Sequence, residues 1–114
     1  MLDKRTVEIE YLDNVLVERE GVREAYRILD EFTSKERLKK LLIIGEHTDI
    51  SKEARMLIVE ENNIRKGRII AEAIVVHSFA QKLIANFYMA LLKNIYPIKF
   101  FTKRLEAETW LRGH

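Results

Sequence analysis

The sequence has no cysteine, which excludes disulfides, cysteine nucleophiles and thiolate metal sites. One proline and four glycines among 114 residues leave few positions that force the backbone to break. No apolar run approaches the about 20 residues that a membrane-spanning helix needs. The N-terminus is charged and leads into alternating residues, so it does not resemble a signal peptide. We therefore expect a cytoplasmic protein without membrane insertion.

An excess of one charge sign is also missing. Twenty basic and eighteen acidic residues give a net charge of +2, and the two signs are interspersed. The densest basic stretch, residues 65–68, is short and has no aromatic residue beside it, whereas nucleic-acid-binding proteins usually carry a stronger basic footprint. We predict no nucleic-acid partner. The 47% hydrophobic and 33% charged residues are typical of a globular chain, with residues 1–114 forming one domain.

What is present is an alternation of strand and helix patterns. We predict strands near residues 7–11, 40–44, 69–76 and 98–101. The first alternates apolar and polar residues, and the second and third are nearly continuous apolar runs, as in strands buried on both faces. Strands alternating with helical segments favour an α/β fold, a four-stranded mostly parallel sheet with about four helices.

The predicted helices have apolar spacing and recognisable start signals. The first carries Val22, Ala25, Tyr26, Leu29 and Phe32 at helical spacing. Before it, residues 15–17 could be a hairpin return or a helix lead-in, and we favour the lead-in.

Three later helices begin at potential cap residues. Ser51 precedes a helix that Asn62, Asn63 and Gly67 are expected to interrupt. Ser78 and Gln81 form a capping box that opens a long helix reaching about residue 94. Thr102 is expected to cap the short final helix.

Ligands of open parallel sheets bind beyond the carboxyl ends of the strands. In the predicted sheet those ends share one edge, which is a candidate site on topology alone. Its polar residues are Glu46, His47, Thr48, Asp49, Ser51, His77, Ser78 and Thr102. His47 and His77, with Glu46 or Asp49, could bind a metal or move protons, but neither spacing is a metal motif. We predict no metal, no cofactor and no catalytic residue, with Ser51, Ser78 and Thr102 acting as helix caps.

Charged residues in or beside the apolar strands have two interpretations. Glu72 lies within an apolar strand and would need a partner if buried, and we favour a position at the rim with its charge in water. Lys35, Lys39 and Lys40 are interpreted as an ordinary exposed face.

The long helix carries more apolar surface than one buried side requires. One stripe consists of Ala80, Leu83, Ile84, Phe87, Leu91 and Ile95, and a second of Ala85, Tyr88, Met89, Leu92 and Tyr96. Together they exceed the about 100° that a surface helix buries. We predict that a second copy of the chain covers the second stripe in a homodimer. The alternatives are coverage from within the chain, with the final helix and Trp110 as the main rival, or an apolar ligand cleft.

The chain from about residue 43 to 111 also resembles a known family. The resemblance rests on residues 51–55 opening a helix, 71–78 on a strand, 86–88 inside the long helix, and 96–102 leading into an A-x-x-W-L helix that ends at Leu111. These segments resemble the SpoIIAA-like, or STAS-like, domains, which share the fold of anti-sigma-factor antagonists and of a lipid-binding type. The match is to an uncharacterised bacterial branch.

The resemblance implies a regulatory or binding module and not an enzyme. Antagonists of this fold carry a phosphorylated serine in a D-S-[ST]-G motif at a helix start. Ser51 lies near that place, but the D-S dipeptide and the following glycine are missing, so we predict a cap and not an obligatory phosphoswitch. We therefore expect a non-enzymatic regulatory module that acts by protein contact. The alternative is a small-molecule or lipid-binding domain with an apolar cleft beside the long helix, and an enzyme using His47 and His77 is a distant third.

Overall fold

A computed structural model describes residues 6–33, 36–92 and 95–114. In chain order the elements are β1 (Thr6–Tyr11), β2 (Leu16–Val17), α1 (Arg19–Thr33), β3 (Leu38–Ile44), β4 (Asp49–Ile50), α2 (Lys52–Ile64), β5 (Ile69–Val75), α3 (Phe79–Leu92), β6 (Ile98–Phe101) and α4 (Arg104–Arg112). Strand and helix alternate as the apolar patterns predict. Lys35, Lys93 and Asn94 lie outside the described residues.

The main sheet has four strands in the order β1-β3-β5-β6, and every neighbouring pair is parallel. The predicted four-stranded parallel sheet is confirmed. Two short strands of two residues each, β2 and β4, form a separate parallel pair in which Leu16 lies opposite Asp49. Residues 16–17 are therefore a short strand and not the predicted helix lead-in, because this pair ties the segment after β1 to the segment after β3.

Helices cover both faces of the sheet, which explains why β3 and β5 are apolar on both sides. Residues of α1, α2 and α3 share one core with alternate strand residues, including Leu42 and Ile74. On the other face α4 packs Ala107 and Leu111 against Leu41. The α4 helix therefore lies on the face of the sheet opposite α3. Among the described residues, no helix is both long and apolar enough to cross a membrane.

Two predicted helix signals are wrong. Asn62 does not interrupt α2, which continues to Ile64, because the Asn62 side chain is fully buried and hydrogen-bonded in the core. Thr102 does not cap α4: the helix begins one residue later than predicted, and Lys103 occupies the cap position without a side-chain hydrogen bond.

Candidate functional site

The carboxyl edge of the sheet is held together by Gln81, in the first turn of α3. Its Nε2 donates to the carbonyl oxygens of Gly45, Glu46 and Thr48 at 2.8, 3.3 and 3.2 Å. Its Oε1 accepts from the backbone N–H of His77 at 2.8 Å. Gln81 is only 5% exposed. The structure therefore brings the loop after β3 next to the start of α3, as the predicted edge requires.

Asp13 fixes the other side of the same loop. Its Oδ1 accepts from the backbone N–H groups of His47 and Asn14 at 2.6 and 2.9 Å. The His47 N–H bond is the main cause that holds the pKa of the Asp13 carboxyl below its ordinary value. A Cβ on Gly45 would lie 2.6 Å from the Asp13 nitrogen, so only glycine permits this close approach.

Three exposed side chains at this loop could together contact a metal ion. The ligand atoms of Asp13, Glu46 and His47 all lie within 4.8 Å of one another, and within the described ranges no other group of three potential ligands is this close. His77, which the sequence pairs with His47, is not part of the group. The Asp13 oxygen that lies 3.3 Å from His47 Nδ1 also accepts the two backbone bonds. The Asp13 carboxylate therefore has a structural role in this loop.

The remaining edge residues are mostly used by the fold itself. The Ser51 Oγ accepts from the Ala54 N–H at 3.1 Å, and the Ser78 Oγ accepts from the Gln81 N–H at 3.2 Å, so both predicted caps are confirmed. Thr48 is buried and donates to the Leu12 carbonyl oxygen. The Asp49 carboxylate accepts from the N–H of the next residue, and Thr102 is exposed beyond the end of β6.

We expect Ser51→Ala to lower the free energy of unfolding by about 1 kcal/mol, because the Ala54 N–H loses its acceptor. Urea unfolding measures this difference, and Ser78→Ala is the matched control at a second confirmed cap. Ser51→Asp should keep the stability, since aspartate also caps helices. An all-or-none loss of partner binding in Ser51→Asp, with none in Ser51→Ala, would contradict the cap interpretation.

The second stripe of α3 faces the interior of the same chain, so the predicted homodimer interface is wrong for these residues. Ala85, Tyr88 and Leu92 are buried on the inner side of α3, Tyr96 is buried just after it, and Met89 packs partly buried against the same core. The predicted rival, α4, does not cover them either, because it lies on the other face. A helical wheel shows two apolar stripes but not which one faces the sheet.

The exposed side of α3 combines Phe79 with three residues of the first predicted stripe, whereas Ile95 of that stripe packs partly buried against the core. Phe79, Leu83, Phe87 and Leu91 are 75%, 54%, 56% and 46% exposed and follow one another at four-residue spacing. Beside them Met56 of α2 is 49% exposed. We call these five side chains the α2–α3 face. Large apolar side chains that are clustered and exposed mark interaction sites more often than scattered ones do.

A shallow groove runs along the seam between the two helices. It has a volume of about 260 Å³, and its lining consists of Lys52, Arg55, Met56, Leu83, Ile84 and Phe87. Below it, a cavity of about 30 Å³ reaches the core and is lined by apolar side chains with Arg55 at its rim. Arg55, Ile84 and Phe87 border both spaces. Among the residues that the structure describes, no acidic residue lines either space.

A second polar arrangement lies in the core, between the sheet and helices α1, α2 and α3. We call it the buried polar cluster, and its members are Tyr26, Lys40, Asn62, Glu72, Tyr88 and Tyr96. Each of them is at most 8% exposed. They come from six segments of the chain, so the cluster ties three helices and two central strands to one point.

Lys40 and Glu72 form the charged centre of this cluster. The Lys40 Nζ donates to Tyr26 Oη at 2.9 Å and to Asn62 Oδ1 at 2.7 Å, and it lies 3.5 Å from Glu72 Oε1. The Tyr96 hydroxyl donates to Glu72 Oε1 at 2.7 Å. The Tyr88 hydroxyl lies 3.2 and 3.3 Å from the two carboxylate oxygens. Within the described ranges every buried side-chain nitrogen and oxygen has a hydrogen-bond partner.

Burial dominates the protonation chemistry of the cluster. It lowers the pKa of the Lys40 ammonium, and the Glu72 carboxylate partly opposes this effect. It raises the pKa of Tyr26, Tyr88 and Tyr96, and the negative charge of Glu72 raises them further. Burial therefore favours the protonated tyrosine hydroxyls, which donate to Asn62 and Glu72.

A family model described as a domain of unknown function, DUF7793, matches residues 1–114. The chain belongs to the DUF7793 family. A comparison with curated proteins gave no match. Among solved structures, the chain is similar to an uncharacterised DUF3478-family protein with a SpoIIAA-like fold from Shewanella loihica PV-4. The TM-score is 0.67 and the sequence identity 15%, and the match covers 90% of this chain and 82% of the other. The SpoIIAA-like fold predicted from the sequence is confirmed for this DUF7793 domain.

The buried polar cluster is the feature of this DUF7793 domain that sequence analysis missed. Glu72 was expected at the rim and Lys40 on an exposed face, yet they are 0% and 1% exposed. Lys39, also predicted to be exposed, is buried at 6%. The available signal is the alternation of side chains along a strand. Lys40 is two residues before Leu42 and therefore shares the face that packs against α1, α2 and α3. A lysine on that side requires an acidic partner. Glu72 of the neighbouring strand β5 lies directly opposite Lys40 in the sheet.

Proposed function

We propose that this domain is a non-enzymatic regulatory module that binds another protein through the α2–α3 face. The observation that carries the proposal is the exposed stripe of Phe79, Leu83, Phe87 and Leu91 beside Met56. Burying apolar surface contributes about 25 cal/mol per Å², so covering this stripe would stabilise a complex substantially. The stripe follows a helix, which suits a partner that is itself a helix laid along the groove.

The charges of the groove favour an acidic partner. Lys52 and Arg55 line it at the N-terminal end of α2, and no carboxylate of the described part of the chain lines it. An amphipathic helix with an apolar face and glutamate or aspartate beside that face would match both properties. Electrostatic complementarity of this kind gives specificity and faster association. We infer that the partner segment is such an acidic amphipathic helix.

The small-molecule or lipid alternative has less support from the same region. Ligand pockets usually measure about 300–1,000 Å³, whereas the cavity below Phe87 measures about 30 Å³. An apolar ligand would have to separate α2 from α3. An enzymatic role has less support as well, because His77 is not in the group that His47 forms with Asp13 and Glu46, and the Asp13 oxygen beside His47 already accepts two backbone bonds.

The test uses a synthetic amphipathic helical peptide with leucine on one face and glutamate on the other. We expect it to shift amide resonances of α2 and α3, and we expect Leu83→Gln with Phe87→Gln to weaken binding roughly tenfold or more, since hot-spot residues cost at least about 2 kcal/mol. Leu105→Gln is the matched control, because Leu105 is 69% exposed on α4, on the opposite side of the sheet.

A peptide with lysine in place of glutamate should bind more weakly, and oleate tests the ligand alternative. Unchanged binding in the double variant would contradict the proposed face. Stoichiometric oleate binding without peptide binding would favour the lipid alternative. A stable dimer in sedimentation that the double variant abolishes would assign the face to a second copy of the chain.

A further inference from the structure

The outer edge of the sheet at β1 has backbone groups that point away from the other strands. The Tyr11 carbonyl oxygen accepts from the Gly45 N–H at 2.8 Å, so the backbone of Tyr11 faces β3. Backbone groups alternate in direction along a strand, which turns those of Glu8 and Glu10 outward. Within the described residues β1 pairs only with β3. Such an edge is a template for one more strand.

An apolar groove lies directly beside this edge, on the face that α1 covers. It has a volume of about 470 Å³ and is lined by Val7 and Ile9 of β1 and by Ile28 and Phe32 of α1, among others. Helical spacing places Phe32 with the inner residues of α1, yet it is 82% exposed, and Ile28 is 39% exposed. Its volume of about 470 Å³ leaves room for the apolar side chains of an added strand.

The opposite face of β1 is acidic. Glu8 and Glu10 project there, since strand residues alternate between faces. Glu8 forms an ion pair with Arg104 of α4 and retains 29% side-chain exposure, and Glu10 is exposed. Directly opposed side chains on paired strands interact, and opposite charges are favourable. A strand added to β1 would therefore place basic residues on this face and apolar residues over the groove.

We propose that β1 accepts an extended segment of another protein that alternates apolar and basic residues. Backbone hydrogen bonds to Glu8 and Glu10 give the affinity, and the groove and the Glu10 carboxylate select the side chains, since Glu8 already pairs with Arg104. This surface is separate from the α2–α3 face, so the proposal does not depend on that one. A second copy of the chain fits poorly, because antiparallel pairing of β1 with itself sets glutamate against glutamate.

The probe is a capped peptide alternating valine and lysine, titrated to millimolar concentration against the full chain. We expect amide shifts concentrated on β1 and the C-terminal half of α1, and affinity that falls with added salt. A valine–glutamate peptide should bind more weakly. Glu10→Lys should lose roughly fivefold in affinity for the lysine peptide and gain affinity for the glutamate peptide, because the cross-strand charge pair is reversed.

The backbone contribution is tested by Glu10→Pro against Glu10→Ala. Both remove the carboxylate, but only proline removes the outward N–H, and proline is tolerated at an edge strand. We expect Glu10→Ala to bind measurably and Glu10→Pro to lose binding. If Glu10→Pro does not fold, the Glu10→Lys variant and the location of the amide shifts still test the proposal. Shifts outside β1 and α1, equal binding of both peptides, or a dimer formed through β1 would overturn the proposal.

Discussion

Lys40→Met is expected to lower the free energy of unfolding by about 3–5 kcal/mol, a large part of the about 5–15 kcal/mol that holds an ordinary domain together. The variant removes the cation that lies 3.5 Å from Glu72 and leaves that carboxylate at zero exposure. It also removes the donor to Tyr26 and Asn62. Urea unfolding monitored by circular dichroism measures the change. We expect the dependence of the free energy of unfolding on urea concentration to stay the same.

The double variant Lys40→Met with Glu72→Met tests whether the loss of stability comes from the unpaired Glu72 charge or from disrupted packing. Replacing a buried ion pair by apolar residues of similar volume is often neutral or stabilising, whereas breaking it is costly. The double variant should therefore recover much of the lost stability. Lys66→Met is the control, because Lys66 is exposed in the turn after α2. A single-variant cost below about 1 kcal/mol would show that Lys40 is not buried in the cluster.

The sequence was sufficient to predict the sheet because each of its strands carries a local signal. The continuous apolar runs that include Leu41 and Ile74 are short and leave no polar side for water, which is typical of strands covered on both faces. Ser51 and Ser78 were predictable as caps for a similarly local reason: the bond joins a side chain to an N–H three residues later.

The buried polar cluster and the exposed side of α3 were less predictable because they depend on residues far away in sequence. Nothing local to Glu72 indicates that Tyr96 and Lys40 will meet it. The two stripes of α3 are similarly apolar, and only the position of the sheet decides that Tyr88 faces inward and Phe87 outward. Sequence analysis therefore identified the helix that carries excess apolar surface but not which of its sides is exposed.

All four tyrosines of the chain are expected to resist ionisation while the protein is folded, and this makes its stability fall steeply in alkali. They are Tyr11, Tyr26, Tyr88 and Tyr96. Burial is the largest cause of each raised pKa; for Tyr11 it raises the pKa to about 12. In the unfolded chain all four would ionise near the ordinary tyrosine pKa of about 10.

The direction of the effect follows from proton counting. Above pH about 10 the unfolded chain releases tyrosine protons that the folded state retains, so stability is lost as the pH rises. Each such group contributes up to about 1.4 kcal/mol per pH unit, or roughly 5 kcal/mol per unit for four. The pKa of Lys40 is lowered in the folded state, so its contribution to stability rises with pH. This rise ends at the lysine pKa of the unfolded chain, about 10.4. The steep loss therefore begins just above that pH.

Tyrosinate absorbance and circular dichroism, recorded together from neutral to strongly alkaline pH, test this prediction. We expect no tyrosine to titrate near pH 10 in the folded protein, and all four to ionise in one step together with unfolding. Tyr11→Phe is the informative variant, because Tyr11 is the tyrosine nearest the surface and lines a groove beside the start of α1. It should remove one proton from the step and flatten the decline of stability by up to about a quarter, since each tyrosine contributes equally to the slope. A tyrosine that titrated reversibly near pH 10 with native circular dichroism would show that its hydroxyl is open to water, and for Tyr26, Tyr88 or Tyr96 this would contradict the buried polar cluster.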